Sequence, residues 1–169
     1  MPHGEFKWEI PISMKEGLKM KVERIDHIHI AVKDLREAAK LFSDILGTKW
    51  VGPIEPAEGF ITAFDTLGLE LMQQTSPEGF ITDFIQRRGE GLFSIGLKVP
   101  NLDEAVADLE ARGIRVLWKG VVNESLKVAM THPKDTYGVM FELVEYEERT
   151  PATLANLNID KVMNIPSLI

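Results

Sequence analysis

The stretch "DHIHIAVKDL", residues 26–35, returns in altered form sixty-seven positions later as "FSIGLKVPNL", residues 93–102. The register holds beyond the two segments. Ile28 falls with Ile95, Ile30 with Leu97, Val32 with Val99, Leu35 with Leu102, Glu37 with Glu104 and Ala38 with Ala105. In each copy an alternation of apolar and polar residues, the period of a half-buried strand, gives way to apolar residues spaced three and four apart, the period of a helix. A capping box stands at the junction: Asp34 with Glu37, and Asn101 with Glu104, each a side-chain acceptor followed three residues later by a carboxylate. The helices "LREAAKLFSDILG" and "LDEAVADLEARG" stop at Gly47 and Gly113.

Three short strands follow each helix: "TKWVG", "GFITAFDTL" and "LELMQQ" in the first copy, "IRVLWKG", "LKVAMTHP" and "VMFELVEY" in the second. The spacing predicts an α+β fold of two βαβββ modules, residues 24–75 and 91–146, related by a pseudo-twofold, with a curved mixed sheet enclosing a cleft. Residues 76–90 read as a connecting helix capped by Ser76, with Phe80, Ile81, Phe84 and Ile85 as its buried stripe and Gly89 as its stop. Trp50 and Trp118 occupy matching post-helix strands and read as packing residues. The N-terminal extension, 1–23, offers an edge strand in "FKWEIPIS", and the C-terminal extension, 147–169, is apolar enough to pack on a surface or a partner chain.

Composition narrows the functions. With 169 residues, 44% hydrophobic and 27% charged, the chain can bury a real core. No apolar run approaches a membrane span, and the first residues lack the apolar core of a signal peptide. The absence of cysteine excludes disulfides, zinc–thiolate sites and thiol nucleophiles, and fits a cytoplasmic protein. A net charge of −7 with no basic block argues against nucleic-acid binding.

The chemistry concentrates in the final strand of each module. "LELM" (69–72) and "FELV" (141–144) each set one glutamate among apolar residues, so Glu70 and Glu142 correspond. An unpartnered buried carboxylate is costly, and two facing each other repel unless a proton, water or cation intervenes. A divalent metal resolves the conflict. His27 adds an imidazole, and His29, two residues on, shares its face of the strand. Imidazoles with carboxylates suit Zn, Co, Mn, Ni or Fe. The ordinary alternative is a half-buried polar strand face with solvated glutamates.

At these residues the chain resembles the vicinal-oxygen-chelate superfamily, which includes glyoxalase I, extradiol dioxygenases, bleomycin-resistance proteins and methylmalonyl-CoA epimerase. The likeness spans about residues 24–146 and is nearest the epimerase branch, in "RIDHIHIAVKDLREAAKLFSDILG", "SPEGFITDFIQRRGEGLFSIGLKVPNLDEAVADLEARGI" and "THPKDTYGVMFELVEY". The resemblance implies one divalent metal, a small-molecule carbonyl or thioester substrate, stabilisation of an enolate or enediolate, and a homodimer. It carries the metal ligands over to His27, Glu70 and Glu142. The fourth family ligand is a histidine that falls at Ser94, a poor neutral ligand, and His29 is placed to substitute for it. Phe93 also stands where the epimerases carry a histidine.

Acid–base work is assigned to Glu142 and to Glu58, the latter with Glu55 in the loop where the family carries its base; both loop acids also read as solvated charges. Ser94, Phe93, His132 and Lys134 are the candidate substrate contacts, and Lys134, Arg87 and Arg88 can meet an anionic tail such as a CoA phosphate. His132 in "THPKDTYG" reads equally as a turn residue before Pro133. The leading reading is a metal-dependent isomerase or lyase. An extradiol-type dioxygenase and a non-catalytic ligand-binding protein are the alternatives.

Overall fold

The computed structural model describes residues 20–57, 59–123 and 126–147. Elements run β1 (Arg24–Ala31), α1 (Leu35–Leu46), β2 (Trp50–Ala57), β3 (Phe60–Asp65), β4 (Leu69–Gln74), α2 (Phe80–Arg88), β5 (Gly91–Lys98), α3 (Leu102–Ala111), β6 (Val116–Asn123), β7 (Leu126–Thr131) and β8 (Phe141–Glu145). The α+β architecture and the duplicated order are as expected. The strands form one continuous eight-stranded mixed sheet in the order β2-β3-β4-β1-β5-β8-β7-β6, curled into a half-barrel.

The first strands of the two copies, β1 and β5, pair antiparallel at its centre, and each pairs in parallel with the last strand of its own module. Ile28 is paired with Ile95, its own repeat partner, so the pseudo-twofold passes between them. His27 then faces Gly96 and His29 faces Ser94 across the ladder. Two register shifts interrupt this pairing, one at Asp26 and one at Phe93. These two residues share a repeat column, so the duplication has kept a β-bulge at the same place in each copy.

The helices form as their caps predict. Asp34 accepts from the amides of Arg36 and Glu37, Asn101 accepts from Glu104, and Gly47 ends α1 in the left-handed region at φ 67°. Each helix covers the outer face of its own module. Leu35, Ala39, Trp50, Ala63 and Leu71 pack under α1; Leu102, Ala105, Leu109, Ala129 and Leu143 pack under α3. Because strand residues alternate faces, Glu70 beside Leu71 and Glu142 beside Leu143 are sent to the inner face.

Three local expectations fail. Ser76 does not cap α2: its hydroxyl is engaged with Glu78 O and Gln74 Nε2, and the helix begins after Gly79. Gln74 on β4 takes over, its Oε1 accepting from Ile81 N at 3.3 Å. Trp118 is not a packing residue like Trp50. A register shift between Val116 and Trp118 leaves Trp118 46% exposed while Val116 packs against the α3 core. Of the predicted α2 stripe, Ile81 is fully buried, but Phe80 is 45% exposed, edge-on to Phe60 and tilted against Phe93. The edge strand in "FKWEIPIS" and the C-terminal extension from 148 lie outside the described residues.

Candidate functional site

Four side chains from three strands meet on the inner face. His27 Nε2 lies 2.7 Å from Glu142 Oε2 and 3.9 Å from Glu70 Oε2. His29 Nε2 lies 2.9 Å from Glu70 Oε2 and 3.6 Å from Glu142 Oε2. The two rings stand edge to face with centroids 4.4 Å apart. His27, His29 and Glu70 are buried, and Glu142 is intermediate. One ligand atom each from His27, His29 and Glu142 lies within 4.8 Å of the others.

Each imidazole is held from behind at Nδ1. His27 Nδ1–H donates to Asp26 Oδ2 at 3.0 Å, and His29 Nδ1 is 2.7 Å from Ser94 Oγ. Both Nε2 atoms therefore point at the carboxylates. Ligand atoms bound about 2.0–2.2 Å from one cation sit about 3 Å apart at a right angle and about 3.5 Å apart at the tetrahedral angle. The observed separations of 2.7, 2.9, 3.6 and 3.9 Å bracket those values. Donor chemistry, spacing and Nδ1 anchoring all fit a divalent cation.

Electrostatics accords with that fit. Burial disfavours the His27 imidazolium, but hydrogen bonds to Asp26 and then Glu142, with the charges of Glu142 and Glu70, outweigh it and raise its pKa to about 10. Glu142 is likewise opposed by burial, yet the positive charge of His29 and the hydrogen bond from His27 hold its pKa below the usual carboxylate value. Without a cation, the proton on His27 neutralises part of the acidic pair's charge.

Ser94 lies 1% exposed behind His29, not at the mouth of a cleft. Phe93, brought forward by its bulge, packs edge-on against Phe84 with centroids 5.1 Å apart. Both phenylalanines line a cleft of about 540 Å³ with Arg87, Arg88, His132 and Lys134. His132 is also the turn residue expected, its Nδ1 accepting from Lys134 N at 3.1 Å. Glu55 is exposed, with Oε1 3.4 Å from Gly59 N; Glu58 lies outside the described residues.

The sequence reading passed over Gly96 and Asp26. A Cβ at Gly96 would come within 2.5–2.7 Å of three ring atoms of His27, so glycine is what lets the ring lie against β5. Gly96→Ala meets no backbone obstacle, since this glycine carries no left-handed φ, but it overpacks against the buried ring at a cost of about 1–3 kcal/mol. It should push the ring off Glu142 and weaken metal binding at least tenfold in a Co(II) titration.

The inner-face carboxylates and imidazoles on a duplicated βαβββ half-barrel define a class of protein. The chain belongs to the glyoxalase/bleomycin resistance protein/dioxygenase superfamily, whose family model matches residues 26–132. Within it, the chain is similar to human mitochondrial methylmalonyl-CoA epimerase, 32% identical over 140 residues that make up 79% of this chain and 80% of the relative. It also resembles the solved methylmalonyl-CoA epimerase of Mycobacterium tuberculosis, with 28% identity, TM-score 0.66, and coverage of 80% of this chain and 93% of that one. A Streptomyces coelicolor methylmalonyl-CoA epimerase solved with 2-nitronate-propionyl-CoA gives 26% identity and TM-score 0.66, covering 76% of this chain and 100% of that one.

Proposed function

We propose that the protein is a metal-dependent isomerase of the epimerase kind, acting on an acyl-CoA thioester, with His27, His29, Glu70 and Glu142 as the metal-holding residues. The observation that carries this reading is the meeting of two imidazoles and two carboxylates on the inner face, with both Nδ1 atoms tied from behind. The similarity to epimerases, including one solved with a CoA thioester analogue, supports the substrate class. A bound divalent cation would polarise the thioester carbonyl and make the adjacent C–H more acidic. The chain's own part is to align the thioester and move the proton. Glu142 is the more open of the two carboxylates, 14% side-chain exposure against 8% for Glu70, and is the proton carrier of this reading.

The cleft supplies the other half of recognition. β5 contributes both Phe93 to its wall and Ser94 to the support of His29, so cleft and cluster share a strand. A lining that combines phenylalanine rings with Arg87, Arg88 and Lys134 suits a molecule with an apolar arm and a phosphorylated tail. Lys134→Ala is expected to raise KM for an acyl-CoA about tenfold with kcat unchanged, as for lost uniform binding.

The deciding experiment follows solvent deuterium into the α-carbon of methylmalonyl-CoA. Incorporation that depends on a stoichiometric divalent ion and stops on chelation supports the reading. A protein that binds the ion yet exchanges no acyl-CoA proton defeats it. A second reading has its own observation, because His27, His29 and Glu142 are also the two-histidine, one-carboxylate set used by oxygen-activating iron. Oxygen uptake by the Fe(II) protein with a catechol would favour that chemistry, and ligand binding indifferent to chelation would favour a non-catalytic binder. The reading also carries a homodimer and a cytoplasmic location, which sedimentation and cell fractionation test.

A further inference from the structure

Strand alternation should send Asp26 to the face opposite His27. The bulge at Asp26 prevents this and turns its carboxylate back onto the His27 ring. The same bulge in the second copy presents Phe93 to the cleft, so one inherited irregularity has been given two uses. The Asp26 side chain is 3% exposed and is itself secured. Tyr146, just past the end of β8, donates its hydroxyl proton to Asp26 Oδ1, and Arg24 Nη2 donates to the Tyr146 oxygen at 2.8 Å. Lys98 Nζ sits 4.5 Å from the centroid of the Tyr146 ring. Asp26 belongs to the first module and Tyr146 to the second, so the support of His27 spans both halves of the sheet.

We infer that Asp26 is a positioning residue for His27, held in place by Tyr146, and that it fixes the imidazole with Nδ1 protonated and Nε2 facing Glu70 and Glu142. This inference rests on the metal-binding reading for its consequence, though not for its geometry. A carboxylate behind a ligating imidazole fixes ring orientation and tautomer and makes the other nitrogen a stronger donor, an effect typically worth about 10–100-fold in metal affinity. The ordinary alternative is that Asp26 is a buried structural acid paired with Arg24. That alternative predicts lost stability with unaltered metal affinity.

The test is Co(II) titration of the full chain, paired with nitrogen-edited NMR of the His27 Nδ1 proton in metal-free protein. Asp26→Ala is expected to weaken Co(II) about 10–100-fold and to expose the Nδ1 proton to rapid solvent exchange. Asp26→Asn, whose amide oxygen can still accept from Nδ1, should recover most of the affinity and of the proton's protection. Tyr146→Phe, which keeps the ring under Lys98 but drops the anchor, should weaken Co(II) several-fold. Asp108→Asn removes another buried carboxylate, one that accepts from Met20 N and pairs with Arg112, and should cost stability without moving Co(II) affinity. Wild-type affinity and a protected Nδ1 proton in Asp26→Ala would overturn the inference. Should Asp26→Ala not fold, unchanged affinity and proton protection in Tyr146→Phe overturn it instead. If the wild type itself takes no Co(II), the metal reading fails. The NMR comparison then decides the positioning role alone.

Discussion

Replacing His29 with serine is expected to weaken divalent metal binding by about a hundredfold or more, and adding Ser94→His to that variant to restore most of it. His29 and Ser94 are paired directly across the central ladder, 2.7 Å apart from Nδ1 to Oγ. The pseudo-twofold through Ile28 and Ile95 makes position 94 the equivalent of 27, the position of the other imidazole. The pair thus holds one imidazole and one small polar residue, arranged opposite to what the family likeness suggests for the Ser94 column. A cross-strand pair places both side chains over the same patch of sheet, within about 5 Å at Cβ, so an imidazole from either side reaches the same carboxylates. Ser94→His alone should do harm, because two rings would compete for one space against a Ser94 site that is already 1% exposed. Co(II) titration and its visible absorption, which reports coordination number and geometry, measure all three variants. Unimpaired binding by His29→Ser would remove His29 from the ligand set. A double variant no better than the single one would show that position 94 cannot reach the cation.

What the sequence disclosed follows from which interactions are local. Strand period, capping boxes and glycine stops depend on neighbours within a few residues, and the repeat offered each twice. The paired glutamates were legible for the same reason: a charged residue flanked by leucine, methionine, phenylalanine and valine stands out wherever the strand is placed. The Ser94 column was misleading because its meaning lies across the ladder. Read along the chain it is a lost histidine; read across the sheet it is the partner of a gained one. The bulges at Asp26 and Phe93 were hidden likewise, since a bulge is a mismatch between two strands and leaves no periodic trace in either. Gly96 looked like an ordinary small strand residue until the His27 ring was placed on it. Trp118 failed for the converse reason. The repeat gave it the surroundings of Trp50, but a register shift beside it broke the equivalence.

The second large effect is on pH. In the metal-free protein the His27 imidazolium is held by Asp26 and Glu142, which raises its pKa from 6.5 to about 10. A base whose folded pKa exceeds its unfolded value adds stability that is complete below pH 6.5 and is lost as pH rises toward 10. Glu142 acts in the other direction. Its pKa is lowered from 4.5, so its contribution is present above pH 4.5 and disappears as acid protonates it. The metal-free chain should therefore be most stable between those limits and soften steadily on the alkaline side. A cation needs Nε2 unprotonated, so binding it expels the His27 proton. Affinity should climb about tenfold per pH unit until the imidazole titrates. Thermal denaturation of chelator-treated protein from about pH 4 to pH 10 measures the first effect. Calorimetric titration in two buffers of different ionisation enthalpy counts the expelled proton in the second. Metal-free stability that rises from about pH 7 to pH 9, or metal uptake at about pH 7.5 with no proton released, would mean that His27 is not the charge-balancing group.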